Sequence, residues 1–407
     1  MVTPSPSALV SQRKPMLTFQ SRLAAQSRKL ATIMLGGLLV ALIVTGPTSA
    51  ATKKAKRTTT RKPATTKAAA PTTKAVAATV PAVTAAPTAS AAERPPAGLC
   101  VAANASQKKP EGKQRLVIAT GGTGGVFFPY GGGLARVLSS KMANTEATGQ
   151  VTGGSVDNNK LLHKGEVDLG MTTADSGADA IAGEGVYTEL GKAKICTIAV
   201  LYDSYVHVVA AAESGVQRVE DLKGKRISVG SPGSSTEVAA NRVLEAAGLK
   251  LSDVTRDFLS VAESVNAIKD RKIAAFFWIG GLPTAAVTDL TTSGPPVKFI
   301  ETASLLPALK AKYGSVYYPK SLKTGVYKGV STEVPGLGVD NLLLANAAMS
   351  ESLVFEILDT LFINQADVQA VHPEARTFNI NTAAAISPVP FHPGAIAFYR
   401  FKGVYKP

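Results

Sequence analysis

From Arg115 onward the sequence alternates short apolar stretches with amphipathic ones, and this alternation constrains the fold more than any other feature. The stretch RLVIAT has the length and apolar content of a buried strand, and the run after it places Tyr130, Leu134 and Leu138 on one helical face. The stretch VAESVNAIKDRKIAAFFW repeats the pattern as a helix followed by a strand. Strands that alternate with helices form parallel sheets covered by helices, so the predicted fold class is α/β.

The patterned part of the chain is large. Residues 114–407 form a stretch too long to be organised around a single hydrophobic core, so two lobes are expected. Helices are predicted over 156–164, 237–247 and 351–364. The residues predicted to face inward from the last helix are Leu353, Val354, Ile357, Leu358, Leu361 and Phe362.

The positive charge of the chain is confined to its N-terminal part. Residues 1–113 contain 17 Lys and Arg against two acidic residues, whereas residues 114–407 contain 27 of each kind. The high pI of the chain therefore comes from its N-terminal tail. The folded part has no basic stripe with interleaved aromatic residues, so no nucleic-acid partner is expected.

Residues 1–50 have the order of an export signal. Basic residues at 13–29 precede the apolar run ATIMLGGLLVALIV, which is followed by Gly46, Pro47 and small residues up to Ala50. The apolar run is shorter than the roughly 20 residues that comfortably span a bilayer. Cleavage after Ala50 is therefore favoured, with an uncleaved membrane anchor as the alternative, and a periplasmic, exported protein is expected in either case.

Residues 51–113 are rich in Ala, Thr, Pro and Lys and have no apolar periodicity. Such a segment cannot bury enough surface to offset its ordering entropy, so a disordered linker is predicted. An alternative interpretation places its lysines against an anionic membrane or cell-wall polymer.

The chain has two cysteines, Cys100 and Cys196. A disulfide between them is compatible with export, and it is the one intramolecular pairing that two cysteines allow. A buried free thiol at Cys196 is the alternative.

Four loops of similar chemistry fall where predicted strands end and helices begin. Free amides and the positive end of the helix dipole make such a junction suitable for anions, and glycine permits close approach while Ser and Thr add hydroxyls. In open α/β sheets ligands bind in this crevice. The four loops, which we expect to converge on one ligand, are TGGTGG (120–125), TGGSVDN (152–158), GSPGSSTE (230–237) and WIGGLPT (278–284).

The loops do not match nucleotide-binding or catalytic motifs. Gly122 and Gly124 begin a G-x-G, but Phe127 occupies the position of the third glycine, and no GK[ST] follows. The histidines lack metal-ligand spacing, and no G-x-S-x-G elbow is present. We therefore expect a binding protein without catalytic residues, metal or cofactor. An exported enzyme that uses the glycine-rich loops is an alternative.

Five stretches in the order found here resemble the TAXI-type substrate-binding proteins of TRAP transporters. They are LVIATGGTGGVFFPYGGGLA, TGGSVDNNKLLHKGEVDLG, DLKGKRISVGSPGSSTEVAANRVLEAAGL, AAFFWIGGLPTAAV and VPFHPGAIAFY. The resemblance extends from about residue 115 to residue 399.

The resemblance implies a two-lobed, type II-like periplasmic-binding-protein fold whose chain crosses between the lobes twice at hinges. Lobe 1 is then predicted over 114–205 and 330–407, and lobe 2 over 206–329. The implied ligand is a small carboxylate similar to glutamate, glutamine or 2-oxoglutarate, held by a monomer. The implied partner is a TRAP permease of the fused type, driven by an ion gradient. A membrane-tethered receptor for sensing or scavenging is the alternative.

The resemblance also implies the residues that bind the ligand. Ser155 and Asn158 would donate hydrogen bonds to it. Asp175 would face an amine or cap its helix, and Trp278 and Tyr202 would contact the ligand or belong to the core. Ser235 stands where the family commonly has glycine. The side chain of Ser235 narrows the space in which a ligand can approach the backbone, and its hydroxyl adds a hydrogen-bond donor. The full predicted set is Thr120, Gly122, Thr123, Gly124, Ser155, Asn158, Asp175, Tyr202, Ser231, Ser234, Ser235, Thr236, Trp278 and Thr284.

Overall fold

The computed structural model describes Cys100 and residues 111–405. All of them lie in one compact unit, Ala86–Pro407. The predicted signal segment and nearly all of the predicted linker lie outside the described residues. Among the helices of the described part, none has both the length and the apolar character needed to cross a membrane.

Ten strands form one mixed sheet in the described part of the chain. The strands are β1 (Gln114–Ala119), β2 (Thr145–Gln150), β3 (Leu169–Thr173), β4 (Ile195–Ala211), β5 (Arg226–Ser228), β6 (Thr255–Asp257), β7 (Ala275–Gly280), β8 (Val297–Phe299), β9 (Tyr318–Pro319) and β10 (Leu337–Asn346).

Eleven α-helices accompany the sheet within residues 111–405, together with several short 3₁₀ turns. The helices are α1 (Phe127–Lys141), α2 (Ser155–Lys164), α3 (Ala174–Ala182), α4 (Ser235–Ala246), α5 (Val261–Lys269), α6 (Ala285–Ser293), α7 (Leu306–Tyr313), α8 (Glu351–Ile363), α9 (Gln365–Gln369), α10 (Ile380–Ala383) and α11 (Pro393–Phe401).

Serine caps determine where three of these helices begin. The hydroxyl oxygens of Ser234, Ser260 and Ser350 each accept a hydrogen bond from the backbone amide three residues further on, at the starts of α4, α5 and α8. Helix α4 therefore begins two residues before the predicted start at 237. Helices α2 and α3 end at Gly165 and Gly183, both in the left-handed conformation that favours glycine.

The sheet contains two sets of strands with the same order. In the first set β2, β1 and β3 are parallel, β10 runs antiparallel beside β3, and the first part of β4 follows. In the second set β6, β5 and β7 are parallel, the last part of β4 runs antiparallel beside β7, and β8 follows. We call these sets, with their helices, lobe 1 and lobe 2. This topology confirms the predicted α/β class and the two-lobed periplasmic-binding-protein fold.

Strand β4 carries the chain from lobe 1 to lobe 2. It has 17 residues and joins the two strands predicted over CTIAVLY and VHVVAAA into one. Tyr205 and Val206 pair with both β10 and β7, so β4 exchanges its neighbours there. The chain returns to lobe 1 at β10. The residue bounds given above for the lobes stay a prediction.

Helix α8 illustrates how lobe 1 builds its core. Five of its six predicted inward residues are buried, and each contributes about 1.5–3 kcal/mol relative to an exposed side chain. Phe362 is half-buried, and its ring stacks on Phe378 and Phe398 with centroid distances of 4.6 and 5.4 Å.

Cys100 and Cys196 are joined by a disulfide. The bond closes a loop with a sequence separation of 96 residues, and a loop of that length stabilises the folded state by about 4–5 kcal/mol in the chain-entropy model. Cys100 is buried, so at this residue the chain is attached to lobe 1 rather than free as the linker prediction expected.

Candidate functional site

The four predicted loops all contribute to one cavity between the lobes. Its volume is about 220 Å³, many times the ~10–15 Å³ that one water molecule requires. No charged side chain of the described residues lines it. Ten of the predicted site residues do so: Gly122, Thr123, Gly124, Ser155, Tyr202, Ser231, Ser234, Ser235, Thr236 and Trp278.

Sequence reasoning missed a fifth loop in the wall, Ser260–Ala262 at the start of α5. Ser260 accepts from the amide of Glu263, and the Glu263 carboxylate accepts from the amide of Ser260. This reciprocal pair is a capping box, and the sequence S-V-A-E is its signature. The motif could therefore have identified the loop. The cavity wall also includes Thr173, which was not predicted.

The lobes contact one another beside the cavity. The amides of Val156 and Asp157, in the first turn of α2, both donate to the carbonyl of Gly233 in lobe 2 at 3.1 Å. A Cβ on Gly153 would lie 2.3 Å from the carbonyl oxygen of Pro232, so only glycine permits this approach. Two of the amides expected to face an anion at this helix start are thus occupied by a protein carbonyl.

Ser155 and Ser235 also link the lobes. The Ser155 hydroxyl donates to the Ser235 hydroxyl at 3.1 Å and accepts from the amide of Thr173 at 3.1 Å. Both serines are buried. The hydroxyl that distinguishes Ser235 from glycine therefore takes part in the contact between the lobes.

Asn158 lies behind the wall of the cavity rather than in it. Its side-chain amide donates to the carbonyls of Thr120 and Met171 at 2.6 and 2.7 Å, and its oxygen accepts from the Thr152 hydroxyl at 2.6 Å. Thr120 is also outside the wall, and its hydroxyl donates to the carbonyl of Gln150 at 2.6 Å. In this geometry both residues position the loops, and ligand contact by them stays a prediction.

Asp175 belongs to an ionic cluster between the lobes, outside the cavity wall. Its carboxylate accepts from the Tyr317 hydroxyl at 2.5 Å and lies 3.8 Å from the guanidinium of Arg242 on α4. Arg242 also pairs with Asp179, one turn further along α3. Burial raises the pKa of Asp179, and the bond from Arg242 opposes that rise.

Trp278 and Thr284 form a pair at the fourth loop. The indole N–H of Trp278 donates to the Thr284 hydroxyl oxygen at 2.9 Å, and that hydroxyl donates to the carbonyl of Gly281 at 2.8 Å. Trp278 is half-buried and lines the cavity, whereas Thr284 is fully buried outside it. The threonine fixes the orientation of the ring.

Glu374 is a further contact between the lobes that the sequence did not indicate. Its carboxylate accepts from the amide of Leu282 in lobe 2. Burial raises its pKa. No motif surrounds Glu374, so nothing in the sequence singled it out.

Two tyrosines lie where β4 and α1 meet beside the cavity. The rings of Tyr130 and Tyr202 stack with centroids 5.7 Å apart. Burial raises the pKa of Tyr202 well above its ordinary value, the Glu374 carboxylate adds to the rise, and the nearby Ser204 hydroxyl opposes it. The Tyr202 hydroxyl is therefore neutral.

The described residues form a two-lobed fold of the periplasmic-binding-protein type, with a cavity between the lobes. The chain belongs to the NMT1-like family, whose model matches residues 118–403.

Solved structures of binding proteins are similar to this chain at low sequence identity. The periplasmic aliphatic sulphonate-binding protein SsuA from Escherichia coli is 16% identical over 72% of this chain and 80% of its own, with a TM-score of 0.39. The alkanesulfonate-binding protein SsuA from Xanthomonas axonopodis pv. citri is 20% identical over 72% and 85%, with a TM-score of 0.40. An ancestral arginine-binding protein is 13% identical over 64% and 98%, with a TM-score of 0.41.

Proposed function

We propose that this protein is an extracytoplasmic receptor that captures a small carboxylate between its lobes and delivers it to a TRAP-type secondary transporter. The observation that carries the proposal is the convergence of five loops, three from lobe 2 and two from lobe 1, on one cavity. All five precede helices, and the residues that they contribute to the cavity wall are Gly, Ser, Thr and apolar residues.

Helix starts supply the attraction for an anion. Ser235 and Thr236 open α4, Val261 and Ala262 open α5, and all four residues line the cavity. Amides in the first turn of a helix have no acceptor within the helix, and the dipole is positive there. A desolvated carboxylate is costly to leave unpaired, and these donors satisfy it without a charged side chain.

The contacts between the lobes fit the closed state of a receptor. Gly233, Ser235 and Leu282 in lobe 2 all bond to groups in lobe 1, so the lobes are closed over the cavity. Closure around a ligand by hinge motion is the working cycle of a receptor. We propose that the protein releases its ligand unchanged, to a permease of the fused type that uses an ion gradient.

A thermal-shift screen of small carboxylates, amino acids and oxo acids tests the binding proposal. A ligand that binds the folded state at 100 times its Kd raises the free energy of unfolding by about 2.7 kcal/mol. We expect a concentration-dependent rise in the melting temperature with at least one carboxylate. No rise with any of them would contradict the proposal.

Reconstitution tests the partner. Proteoliposomes that contain a fused TRAP permease are expected to accumulate the ligand only when the receptor and an ion gradient are both present. Uptake that requires ATP instead would assign the receptor to a different transporter class. A purified protein that retains its N-terminal segment and supports no uptake would favour the tethered receptor, and chemical conversion of the ligand would favour an enzyme.

A further inference from the structure

The indole ring of Trp278 is held at the cavity wall by residues of both lobes. Its N–H donates to the Thr284 hydroxyl oxygen at 2.9 Å. A Cβ on Gly280 would lie 2.5 Å from the indole nitrogen, and a Cβ on Gly125 in lobe 1 would lie 2.8 Å from the Cη2 atom of the ring. Glycine at both positions therefore makes room for the ring, which forms part of the wall.

Apolar side chains extend the wall beside this ring. A Cβ on Gly124 would lie 3.2 Å from the Cβ of Ala262 and 3.4 Å from a methyl carbon of Val261. The glycine loop of lobe 1 thus meets the start of α5 at apolar atoms. We call Trp278, Val261 and Ala262 the apolar border of the cavity. Further apolar residues in the wall are Val126, Phe127, Val151 and Ile279.

Polar groups line the cavity where the starts of α2 and α4 meet. There the Ser155 hydroxyl donates to the Ser235 hydroxyl at 3.1 Å. A Cβ on Gly154 would lie 3.4 Å from the Cα of Ser234. We call Gly154, Ser155, Ser234 and Ser235 the polar border. A ligand enclosed between the lobes therefore meets two surfaces of different chemistry.

The groups around the cavity limit the charge of the ligand. No charged side chain among the described residues lines the wall. Asp157 lies outside it, and its carboxylate accepts from the amide of Gly153 at 3.0 Å. The positive ends of the helix dipoles disfavour an ammonium group. A carboxylate at the apolar border would lose its hydration without gaining a partner, so the wall accommodates one carboxylate, at the polar border.

We propose that the ligand is a monocarboxylate with an apolar tail, and that Trp278 selects the tail. The carboxylate lies at the polar border, and the tail lies against the indole ring and the aliphatic side chains of Val261 and Ala262. The inference rests on the proposed function. It departs from the ligands that the resemblance implies, because glutamate, glutamine and 2-oxoglutarate all carry a polar group at the end where this tail lies.

A matched pair of ligands tests the inference. Pentanoate and glutarate share a five-carbon chain and differ in one end group, a methyl against a carboxylate. Isothermal titration of the wild-type protein is expected to give pentanoate a Kd about tenfold or more below that of glutarate. From propanoate through butanoate to pentanoate, each added methylene should tighten binding about fourfold. A glutarate affinity equal to or above that of pentanoate would overturn the inference.

The emission of Trp278 tests the position of the tail. Trp278 is the single tryptophan of the chain, so tryptophan fluorescence reports on this part of the wall alone. Titration with pentanoate should shift the emission to shorter wavelength, because the tail displaces water from the ring, with half-saturation at the calorimetric Kd. Saturation of the heat signal with unchanged emission would overturn the assignment of the tail to Trp278.

The variant Trp278→Ala removes the ring. The gain in affinity per methylene is expected to fall from about fourfold to less than about twofold. Phe258→Ala is the matched control, because Phe258 is an aromatic residue of lobe 2 that is 43% exposed and lies outside the cavity wall. It should keep the fourfold gain. If Trp278→Ala weakened all three ligands by one factor and kept the gain, the ring would have a structural role only, and the inference would be wrong.

Failure of the inference is distinguishable from failure of the proposed function. A receptor that prefers glutarate overturns the inference and leaves the receptor function standing. Absence of binding by every carboxylate overturns both. If Trp278→Ala does not fold, the wild-type ligand series and the emission of Trp278 still decide.

Discussion

Ser155 in lobe 1 donates a hydrogen bond to Ser235 in lobe 2 at 3.1 Å, and both residues line the cavity. The contact depends on the Ser235 hydroxyl, which a glycine or alanine at this residue would not supply. It ties the first turn of α2 to the first turn of α4, so the two helix starts that flank the cavity are held together in the closed arrangement.

Replacement of Ser235 by alanine is expected to weaken closure. One hydrogen bond contributes about 1 kcal/mol, so the affinity for the carboxylate that gives the largest thermal shift should fall about fivefold. Ser293→Ala, which removes a hydroxyl bonded within helix α6, is the control and should leave affinity unchanged. Titration calorimetry measures the affinity of both variants. Equal affinities of Ser235→Ala and Ser293→Ala for the carboxylate would show that the serine contact does not support closure.

Arg242 is predicted to be essential for stability. It is 8% exposed and pairs with Asp175 and Asp179, so Arg242→Met would leave the buried carboxylate of Asp175 and the partly buried carboxylate of Asp179 without a cation. Loss of one partner from such a cluster costs about 3–5 kcal/mol, which urea denaturation measures directly.

The control for Arg242 is Arg218→Met. Arg218 pairs with Glu220 at the surface, where an ion pair contributes little, so the free energy of unfolding should change by less than about 1 kcal/mol. Similar values for the two variants would contradict the assignment of Arg242 as a buried link between the lobes.

Two carboxylates face each other on the strands that connect the lobes. Asp203 on β4 lies opposite Asp340 on β10, and Lys320 and Tyr318 bond to their carboxylates. Burial raises the pKa of Asp340 to about 6, the Tyr318 hydroxyl opposes the rise, and Asp203 adds to it. An acid whose folded pKa is raised stabilises the fold below its unfolded pKa of 3.8, and that stability is lost as pH rises through about 6.

Asp340→Asn should remove this dependence. Between about pH 4 and pH 7 the wild-type protein is expected to lose up to about 3 kcal/mol relative to the variant, measured by urea denaturation at each pH. If the free energy of unfolding changed with pH in the same way in both proteins, Asp340 would have the same pKa in the folded and unfolded states.

Much of the fold followed from the sequence, because alternating apolar patterns and glycine-rich junctions report directly on strands, helices and the loops between them. The cavity was found for the same reason, since four junctions of similar chemistry lie at the carboxyl ends of strands. The pattern did not reveal that β4 is continuous, because Asp203 and Ser204 interrupt its apolar run.

The roles of individual residues were harder to predict. A motif places Asn158 near the site. Whether its side-chain amide faces the ligand or holds a loop depends on which backbone carbonyls the fold brings within hydrogen-bond distance. Glu374 lies far along the chain from the loops and has no local signal. Its position arises from contact between the lobes, which neither spacing nor periodicity records.

If the cavity between the lobes binds the carboxylate, a side chain that fills the cavity should abolish binding. A Cβ on Gly122 meets no atom within 4 Å, and Gly122 lines the cavity, so Gly122→Leu occupies the space without a clash at its Cβ. Gly132 on α1 has equal room outside the cavity wall, and Gly132→Leu is the matched control.

Titration calorimetry of the two variants with the best carboxylate from the thermal-shift screen is the decisive measurement. We expect one site per chain, whose affinity is retained in Gly132→Leu and weakened by about 100-fold or more in Gly122→Leu, a loss of about 2.7 kcal/mol. Wild-type affinity in a folded Gly122→Leu protein would contradict it.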